Sequence, residues 1–526
     1  MMGKRVIRFL AITSCIVLMA QGAALAKEYQ LTILHTNDHH GHFQKFDPYP
    51  MVGVGGLAAQ STLVNIVRAE VESAGGHVLV LSAGDVNTGV PESDLLDAEP
   101  DFQMMNRIGY DAMTLGNHEF DNSLEVLMKQ KGWAKFPFLA ANIVKKGTED
   151  VLFEPYIIKD VDGLKVAILG LITEEIPILV LPDNIKDLEF KPVIETAKKY
   201  VPELQEKADL VIALTHIGLY DADSDQTGDL QLAQAVPGID VIVGGHTHTD
   251  LEAPVVVAET LIVQADAYSE KVGRLNIVVD SDTDTVKDYS FELMPVNGKK
   301  RIKHNGKSYY QYTGTGVVED NEILEAMTPY LQGADEMLKK PVGTAVVELV
   351  GGKSVSRSQE TNLGNLITDA MRAKTGADIA LLNGGGIRAG IAPGVITYRD
   401  VLSVQPFGNT LTEIMMTGSQ IIEVLNLSAS KIGSGAFMQV SGLKYTYNQT
   451  EAKIETVMVG NAPIELEKIY KVVTNNFAAS GGDGYSMLKP LAQYDTGYVD
   501  ADATMEYIRK NGEVDPKIEG RITLVK

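Results

Sequence analysis

At 526 residues, with 45% hydrophobic and 22% charged residues, the chain has an ordinary globular composition and length enough for about two to four domains. A net charge of −23 excludes a general nucleic-acid-binding surface, so no nucleic-acid polymer is expected as a partner. The only cysteine is Cys15, which leaves no disulfide framework, and no stretch beyond the N-terminus has the roughly 20 continuous apolar residues of a membrane span.

Residues 1–26 read as a secretory signal peptide. Lys4, Arg5 and Arg8 precede an apolar run from Phe9 to Ala20, and Ala24-Leu25-Ala26 has the small-x-small pattern of a cleavage site. Cleavage there removes three positive charges and no negative ones, and it sends the mature chain to the periplasm or beyond. Ile12-Thr13-Ser14-Cys15 also has the look of a lipoprotein cleavage site, but the apolar segment runs on past Cys15, which favours Ala26.

Tyr29 to Asn37 alternates and then runs apolar, as a first strand does, and it delivers Asp38, His39, His40 and His42 in quick succession. Carboxylate and imidazole together suit zinc, manganese or cobalt, and no thiolate competes. Asp38 and His40, two apart, can point to one side, whereas His35, His39 and His42 are expected to be structural, to support the ligands from behind or to be solvated. Val78–Ser82 is a second buried strand and leads into Gly84-Asp85. Ala112–Leu115 is a third, followed by Gly116 to Asp121, GNHEFD, which packs an amide, a histidine and two carboxylates into six residues. Taken singly, Gly84-Asp85 reads as an ordinary turn, and Asn117 and His118 as helix caps. The pattern recurs: Leu164–Leu171 is another apolar strand, Leu210–Leu214 leads into Thr215-His216, and Val241–Val243 leads into Gly244-Gly245-His246-Thr247-His248. Nine of the ten histidines precede residue 249, which confines a histidine-ligated site to the first half. Asp221, Asp223 and Asp225, and again Asp280, Asp282 and Asp284, have the alternate spacing of a calcium loop but lack its glycine and its final glutamate. Trp133 is expected to pack rather than recognise.

Glu322–Lys340 predicts an amphipathic helix, interrupted at Pro329 and ended by Pro341, that connects two domains. Beyond it, strands are expected at Val346–Val350, Asp378–Leu382 and Lys471–Thr474. The informative stretches there are loops: Asn383-Gly384-Gly385-Gly386-Ile387-Arg388, Gln405 to Asn409 with Phe407, and Phe477 with Gly481-Gly482-Asp483-Gly484-Tyr485. Glycines let a ligand approach the backbone, arginine engages phosphate through paired donors, and two phenylalanines on separate loops can sandwich a flat base. Tight turns and core aromatics account equally well for any one of these loops.

Asp38-His39-His40, Gly84-Asp85, GNHEFD, Thr215-His216 and GGHTH, in this order, resemble the metallophosphoesterase domain of calcineurin-like enzymes. From about Tyr29 to the C-terminus the chain is similar to the secreted 5'-nucleotidases and bacterial UDP-sugar hydrolases. The resemblance implies an α/β fold, a four-layer α/β-β/α metallophosphoesterase domain joined by a helix to a smaller α+β nucleoside-binding domain. The expected divisions are a signal peptide over 1–26, the first domain over 27–320, a linker helix over 321–341 and the second domain over 342–526.

It further implies two divalent metal ions, zinc first and manganese or cobalt as substitutes. Asp38, His40, Asp85 and His248 would hold one, and Asp85, Asn117, His216 and His246 the other. His118 and Asp121 would form a catalytic dyad, Phe407 and Phe477 would stack on the base, and Asn409 and Asp483 would contact base or ribose. Asn383 belongs to the same substrate loops, and Arg357 and Arg388 would bind an anionic group. Lys353 stands where close bacterial relatives have arginine, which keeps the charge but loses the planar fork. The expected activity is hydrolysis of nucleoside 5'-phosphates by a monomer whose domains rotate against each other. A 2',3'-cyclic phosphodiesterase with 3'-nucleotidase activity, a sulfur-oxidation relative and a non-catalytic nucleotide-binding protein are the alternatives.

Overall fold

Alternation along the first strand sets the layering of the N-terminal half. The structure is a computed structural model that describes residues 28–46, 51–280, 283–304 and 307–525; the expected leader and Cys15 lie outside the described residues. In the strand Glu28–Thr36, Leu31 and Ile33 face one way and Leu34 the other, and all three are buried. A strand buried on both faces belongs between two other layers.

Two six-stranded sheets supply these layers. One runs in the order Thr285–Pro295, Lys271–Asp280, Glu28–Thr36, His77–Ser82, Ala112–Thr114, Phe138–Leu139. The other runs Val255–Val257, Thr260–Val263, Val241–Val243, Leu210–His216, Leu164–Ile172, Tyr156–Val161. Leu31, Ile33 and Leu79 of the first sheet pack with Val166, Ile212 and Val243 of the second to form the central core. On the outer face of the first sheet, Leu34, Val80 and Met113 meet the helices Leu57–Ser73 and Glu99–Ile108. On the outer face of the second, Leu169 and Val211 meet the helix Val193–Gln205. The result is the four-layer α/β-β/α arrangement.

The connecting helix spans Asn321–Leu338 and passes through Pro329 without the expected interruption. Proline there removes one donor, the bond to the carbonyl of Glu325, but Glu325 is exposed and water replaces the donor. Ile323 and Met327, each 2% exposed, anchor the helix to the first domain and stabilise it by about 2 kcal/mol each.

The second domain has separate cores on the two sides of a five-stranded sheet, ordered Met438–Ser441, Ile379–Asn383, Ile469–Asn475, Thr410–Thr417, Gln493–Val499. Its first strand is Pro341–Ala345 rather than Val346–Val350, so Pro341 begins a strand as well as ending a helix. Proline is tolerated at the first position of a strand. Leu349 makes only an isolated bridge with Ile391. Across the domain boundary Arg399 meets the buried Glu92 at 2.7 Å. Trp133 packs against the first core, under Lys129.

Pro329→Ala restores the missing helix donor at an exposed site, set against a looser unfolded chain. The expected outcome is a gain of about 1–2 kcal/mol, read as a higher urea midpoint for the first domain. A lower midpoint would mean that the proline ring makes a contact worth more than the bond it forfeits.

Candidate active site

Five strand ends converge on one edge of the first domain. Glu28–Thr36, His77–Ser82 and Ala112–Thr114 are parallel neighbours, as are Leu164–Ile172, Leu210–His216 and Val241–Val243 in the other sheet. Parallel strands present their carboxyl ends together: His216 is the last residue of its strand, and loops leaving the others carry Asp38 and His40, Asp85, Asn117 and His118, and His246 and His248.

The side chains meet at short range. His248 Nε2 lies 3.1 Å from Asp38 Oδ1, His40 Nε2 3.2 Å from His248 Nε2, His216 Nε2 3.1 Å from Asp85 Oδ2, and His246 Nδ1 2.8 Å from Asn117 Oδ1. Ligand atoms of Asp38, His40 and His248 fall within 4.8 Å of one another, as do those of Asp85, His216 and His246, and those of His40, Asp85 and His118. Burial disfavours charge on His40, and the neighbouring His118 adds to this, so its pKa sits well below the usual value. Burial also opposes charge on His216, but the carboxylates of Asp85 and Asp38 outweigh it and carry the pKa up to about 10.

The donor set fits divalent cations on its own geometry. His40 Nδ1 faces the carbonyls of Asn87 and Thr88 at 3.2 and 3.0 Å, and His216 Nδ1 faces that of Ala83 at 2.6 Å. A nitrogen facing a carbonyl carries the proton and donates it, so Nε2 is the atom each ring turns into the cluster, with its lone pair free in the neutral His40 and available in His216 once a cation displaces the proton that Asp85 and Asp38 hold there. His40 Nε2 then aims at another imidazole nitrogen, and the buried His216 Nε2 is outside hydrogen-bonding geometry to Asp85. A cation satisfies both.

The backbone is strained to achieve this. Asp38, His40, Asp85, His246 and His248 all have positive φ, at 52°, 50°, 55°, 80° and 55°. Left-handed backbone costs a residue with a Cβ about 1–2 kcal/mol, and these positions adopt it because their loops are held from behind.

Much of that hold comes from Glu119. Its buried carboxylate accepts the N–H groups of Asp85, Val86, Asn87 and Gly116 at 2.9, 2.8, 3.3 and 2.6 Å. Burial, reinforced by Asp85, pushes its pKa up to about 7, while the four donors favour the charged form. The two loops it joins are pressed together. A Cβ on Gly84, itself at φ 85°, would lie 2.6 Å from Gly116 N, and one on Gly116 would strike the Asp85 carboxylate. A second brace runs Ser269 Oγ to His39 Nδ1 at 2.5 Å and His39 Nε2 to Asp101 at 2.7 Å; all three residues are buried, and Asp101 also accepts from Ser93. His35 stacks on Phe291 and His42 faces the carbonyls of His39 and His40, so both are packed into the structure as expected.

His118 stands beside this cluster. Its backbone N–H donates to Asp85 Oδ1 at 2.8 Å and its Nδ1 faces Asp121 Oδ2 at 2.6 Å. Burial works against its charge, but Asp121 and then Asp85 raise its pKa above the usual histidine value.

The second domain closes over the same place. Lys353, Arg357, Asn383, Arg388, Phe407, Asn409, Phe477 and Asp483 line a cleft of about 440 Å³, together with Asn117, His118, Asp121, His246 and His248. Phe407 lies nearly parallel to the His118 ring at 5.9 Å, with the Arg388 guanidinium 5.6 Å from its centroid. Asn383 donates to Asp483 at 2.7 Å, and Lys353 Nζ donates across the cleft to the Thr247 carbonyl at 3.2 Å. Burial and Arg357 lower Lys353 to about 8, and burial and Arg388 lower Arg357 to about 10, with Asp483 acting the other way on Arg357.

Sequence reasoning missed several lining residues. Leu179, Val180, Leu181, Tyr220 and Gln226 reach the cleft from the first domain, and the helix Ile176–Leu179 abuts Gly482–Gly484. Nothing in their local pattern separates them from ordinary loop residues. Glu119 did have a signal, a carboxylate inside GNHEFD, but its partners are backbone amides that only the fold brings to it.

Glu119→Gln removes the charge and turns an amide donor toward backbone donors. The chain is expected to fold but to hold divalent metal about 10- to 100-fold less tightly, measured by metal analysis after dialysis against buffered free metal. Unchanged metal affinity would show that the two loops hold their geometry without it.

Comparison with known proteins accords with this arrangement. Residues 31–250 match the family model for calcineurin-like phosphoesterases and residues 341–490 that for the 5'-nucleotidase C-terminal domain. The chain is 41% identical to a 5'-nucleotidase of Vibrio cholerae, covering 96% of this chain and 95% of that one. It is 39% identical to Protein UshA of Escherichia coli, covering 95% of each. Among solved structures it resembles a 5'-nucleotidase precursor of Thermus thermophilus, with a TM-score of 0.81 and 33% identity over 94% of this chain and 99% of that one. Metallophosphoesterases use divalent metal ions, and this chain has the donor groups for them. It therefore belongs to the 5'-nucleotidase family, hydrolases of phosphoric monoesters in which a calcineurin-like phosphoesterase domain precedes a 5'-nucleotidase C-terminal domain.

Proposed function

We propose that the protein is an exported 5'-nucleotidase that hydrolyses nucleoside 5'-phosphates, AMP first among them, to nucleoside and phosphate, with ADP, ATP and UDP-sugars within its range. The observation that carries this reading is a cleft in which candidate metal-ligating side chains of one domain face two phenylalanines and a cluster of cations from the other.

Asp38, His40, Asp85 and His248 would hold one divalent cation and Asp85, Asn117, His216 and His246 the second, with zinc the best match to nitrogen and oxygen donors and manganese or cobalt as substitutes. When bound, the pair supplies charge neutralisation at the phosphoryl oxygens and a water acidic enough to attack at neutral pH, in line with the leaving oxygen. The remaining roles fall to the chain itself. Phe407 and Phe477 would hold the base between their rings, while Asn383, Asn409 and Asp483 would bond base or ribose. Arg357, Arg388 and Lys353 would grip the phosphates. His118, its Nδ1 proton held by Asp121, would present Nε2–H to the phosphoryl group or the leaving oxygen.

Residues 1–26 would be removed near Ala26 on export to the periplasm, leaving residues 27–320 as the metal-bearing domain and 342–526 as the nucleoside-binding domain. The mature chain would act as a monomer, turning about the connector at 321–341 to load substrate and release product.

The test is phosphate release from AMP, ATP, UDP-glucose and 2',3'-cyclic AMP by metal-depleted protein, with and without zinc, manganese or cobalt. Depletion is expected to abolish AMP turnover and one of these metals to restore it. His118→Ala should lower kcat by about 100- to 10,000-fold. Lys353→Ala should raise KM for ATP and UDP-glucose more than for AMP. Selective turnover of the cyclic substrate would replace this reading with the phosphodiesterase one, and binding without turnover under every metal would leave a nucleotide-binding protein.

A further inference from the structure

The densest run of cations in this acidic chain, Lys299 to Lys307, lies outside the cleft. Residues 293–318 contain five lysines and arginines and no aspartate or glutamate, in a protein of net charge −23. They form a two-stranded antiparallel ribbon, Lys299–His304 with Lys307–Tyr312, between the last strand of the first domain and the connecting helix. The ribbon pairs with no other strand among the described residues, and its root is closed by the Thr313 N–H donating to the Gly298 carbonyl at 2.8 Å.

Its register sorts the side chains. Lys299, Arg301 and Lys303 share a face with Tyr310 and Tyr312, while Lys300 and Ile302 share the other with Tyr309. Tyr309, Tyr310 and Tyr312 are 47%, 37% and 46% exposed and Ile302 36%. Both faces therefore combine cations with half-exposed amphipathic rings.

We propose that this ribbon docks the protein onto a bilayer surface containing anionic lipid. Tyrosine favours the headgroup level, where its ring meets apolar chains and its hydroxyl meets water, and each nearby lysine or arginine adds attraction to an anionic leaflet. The charge of the whole molecule favours a surface over a flexible polyanion. Six residues of strand reach about 20 Å, more than twice the roughly 8 Å screening length in physiological salt, so a ribbon can touch a plane while the acidic body stays beyond its repulsion. A single-stranded polyanion long enough to wrap would meet that body.

The test is co-sedimentation of the purified protein with vesicles of phosphatidylcholine alone or mixed with phosphatidylglycerol, at low and high salt. Two variants accompany it, Lys300→Ser/Arg301→Ser/Lys303→Ser and Tyr309→Ser/Tyr310→Ser, each checked for an unchanged melting temperature. All share one N-terminus, so differences between them report the ribbon. The expected result is salt-sensitive binding to the mixed vesicles only, reduced about 100-fold in the triple variant and weakened in the tyrosine variant. Absence of binding by the unaltered protein, equal binding to neutral vesicles, or equal binding by the triple variant would overturn the proposal. Retention on a single-stranded oligonucleotide without vesicle binding would overturn it too, in favour of a polymer.

Discussion

Everything at the functional edge depends on keeping two fully buried carboxylates, Asp38 and Asp85, ionised. Both have pKa values below the usual range although burial pushes the other way, because His248 and His216 offset it at Asp38, and His216 and His118 at Asp85. Backbone donors add to this: the His246 N–H reaches Asp38 at 2.9 Å and the His118 N–H reaches Asp85 at 2.8 Å. Uncompensated, such burial costs several kcal/mol per ion, so the surrounding imidazoles and amides are a condition of the fold at this edge. A bound cation would strengthen the same balance.

That electrostatic demand explains where the backbone is strained. Polar groups from five strands have to turn toward one point, and three of the loops do so through left-handed residues at Asp38, His40, Asp85, His246 and His248. The strain persists because rigid polar braces lie behind it, Glu119 among four amides and His39 between Ser269 and Asp101. These braces are buried within the phosphoesterase layers and owe nothing to the second domain.

The second domain contributes apolar rings and positive charge to a cleft whose floor is acidic and imidazole-rich. Among the described residues, polar contacts between the two halves include Lys353 to the Thr247 carbonyl at the cleft and Arg399 to Glu92 nearer the connector. The connecting helix belongs by packing to the first domain, through Ile323 and Met327. An articulation between separately cored bodies suits the domain movement proposed for substrate entry and product release.

The sequence by itself determined the order of the metal-ligand candidates, because each follows a buried strand and the strand-loop punctuation is local, and through the resemblance those motifs carry it implied the family and the layered fold. Asp85 after Val78–Ser82 and His246 after Val241–Val243 are legible for that reason. Local pattern went astray where tertiary context overrides it: Pro329 sits within a continuous helix because solvent satisfies the carbonyl it strands, and the strand at 341–345 begins on a proline taken for a terminator. Only the tertiary structure decided the four amides around Glu119 and the Leu179–Leu181 wall of the cleft. Each depends on segments far apart in sequence meeting, which leaves no mark on the residues themselves.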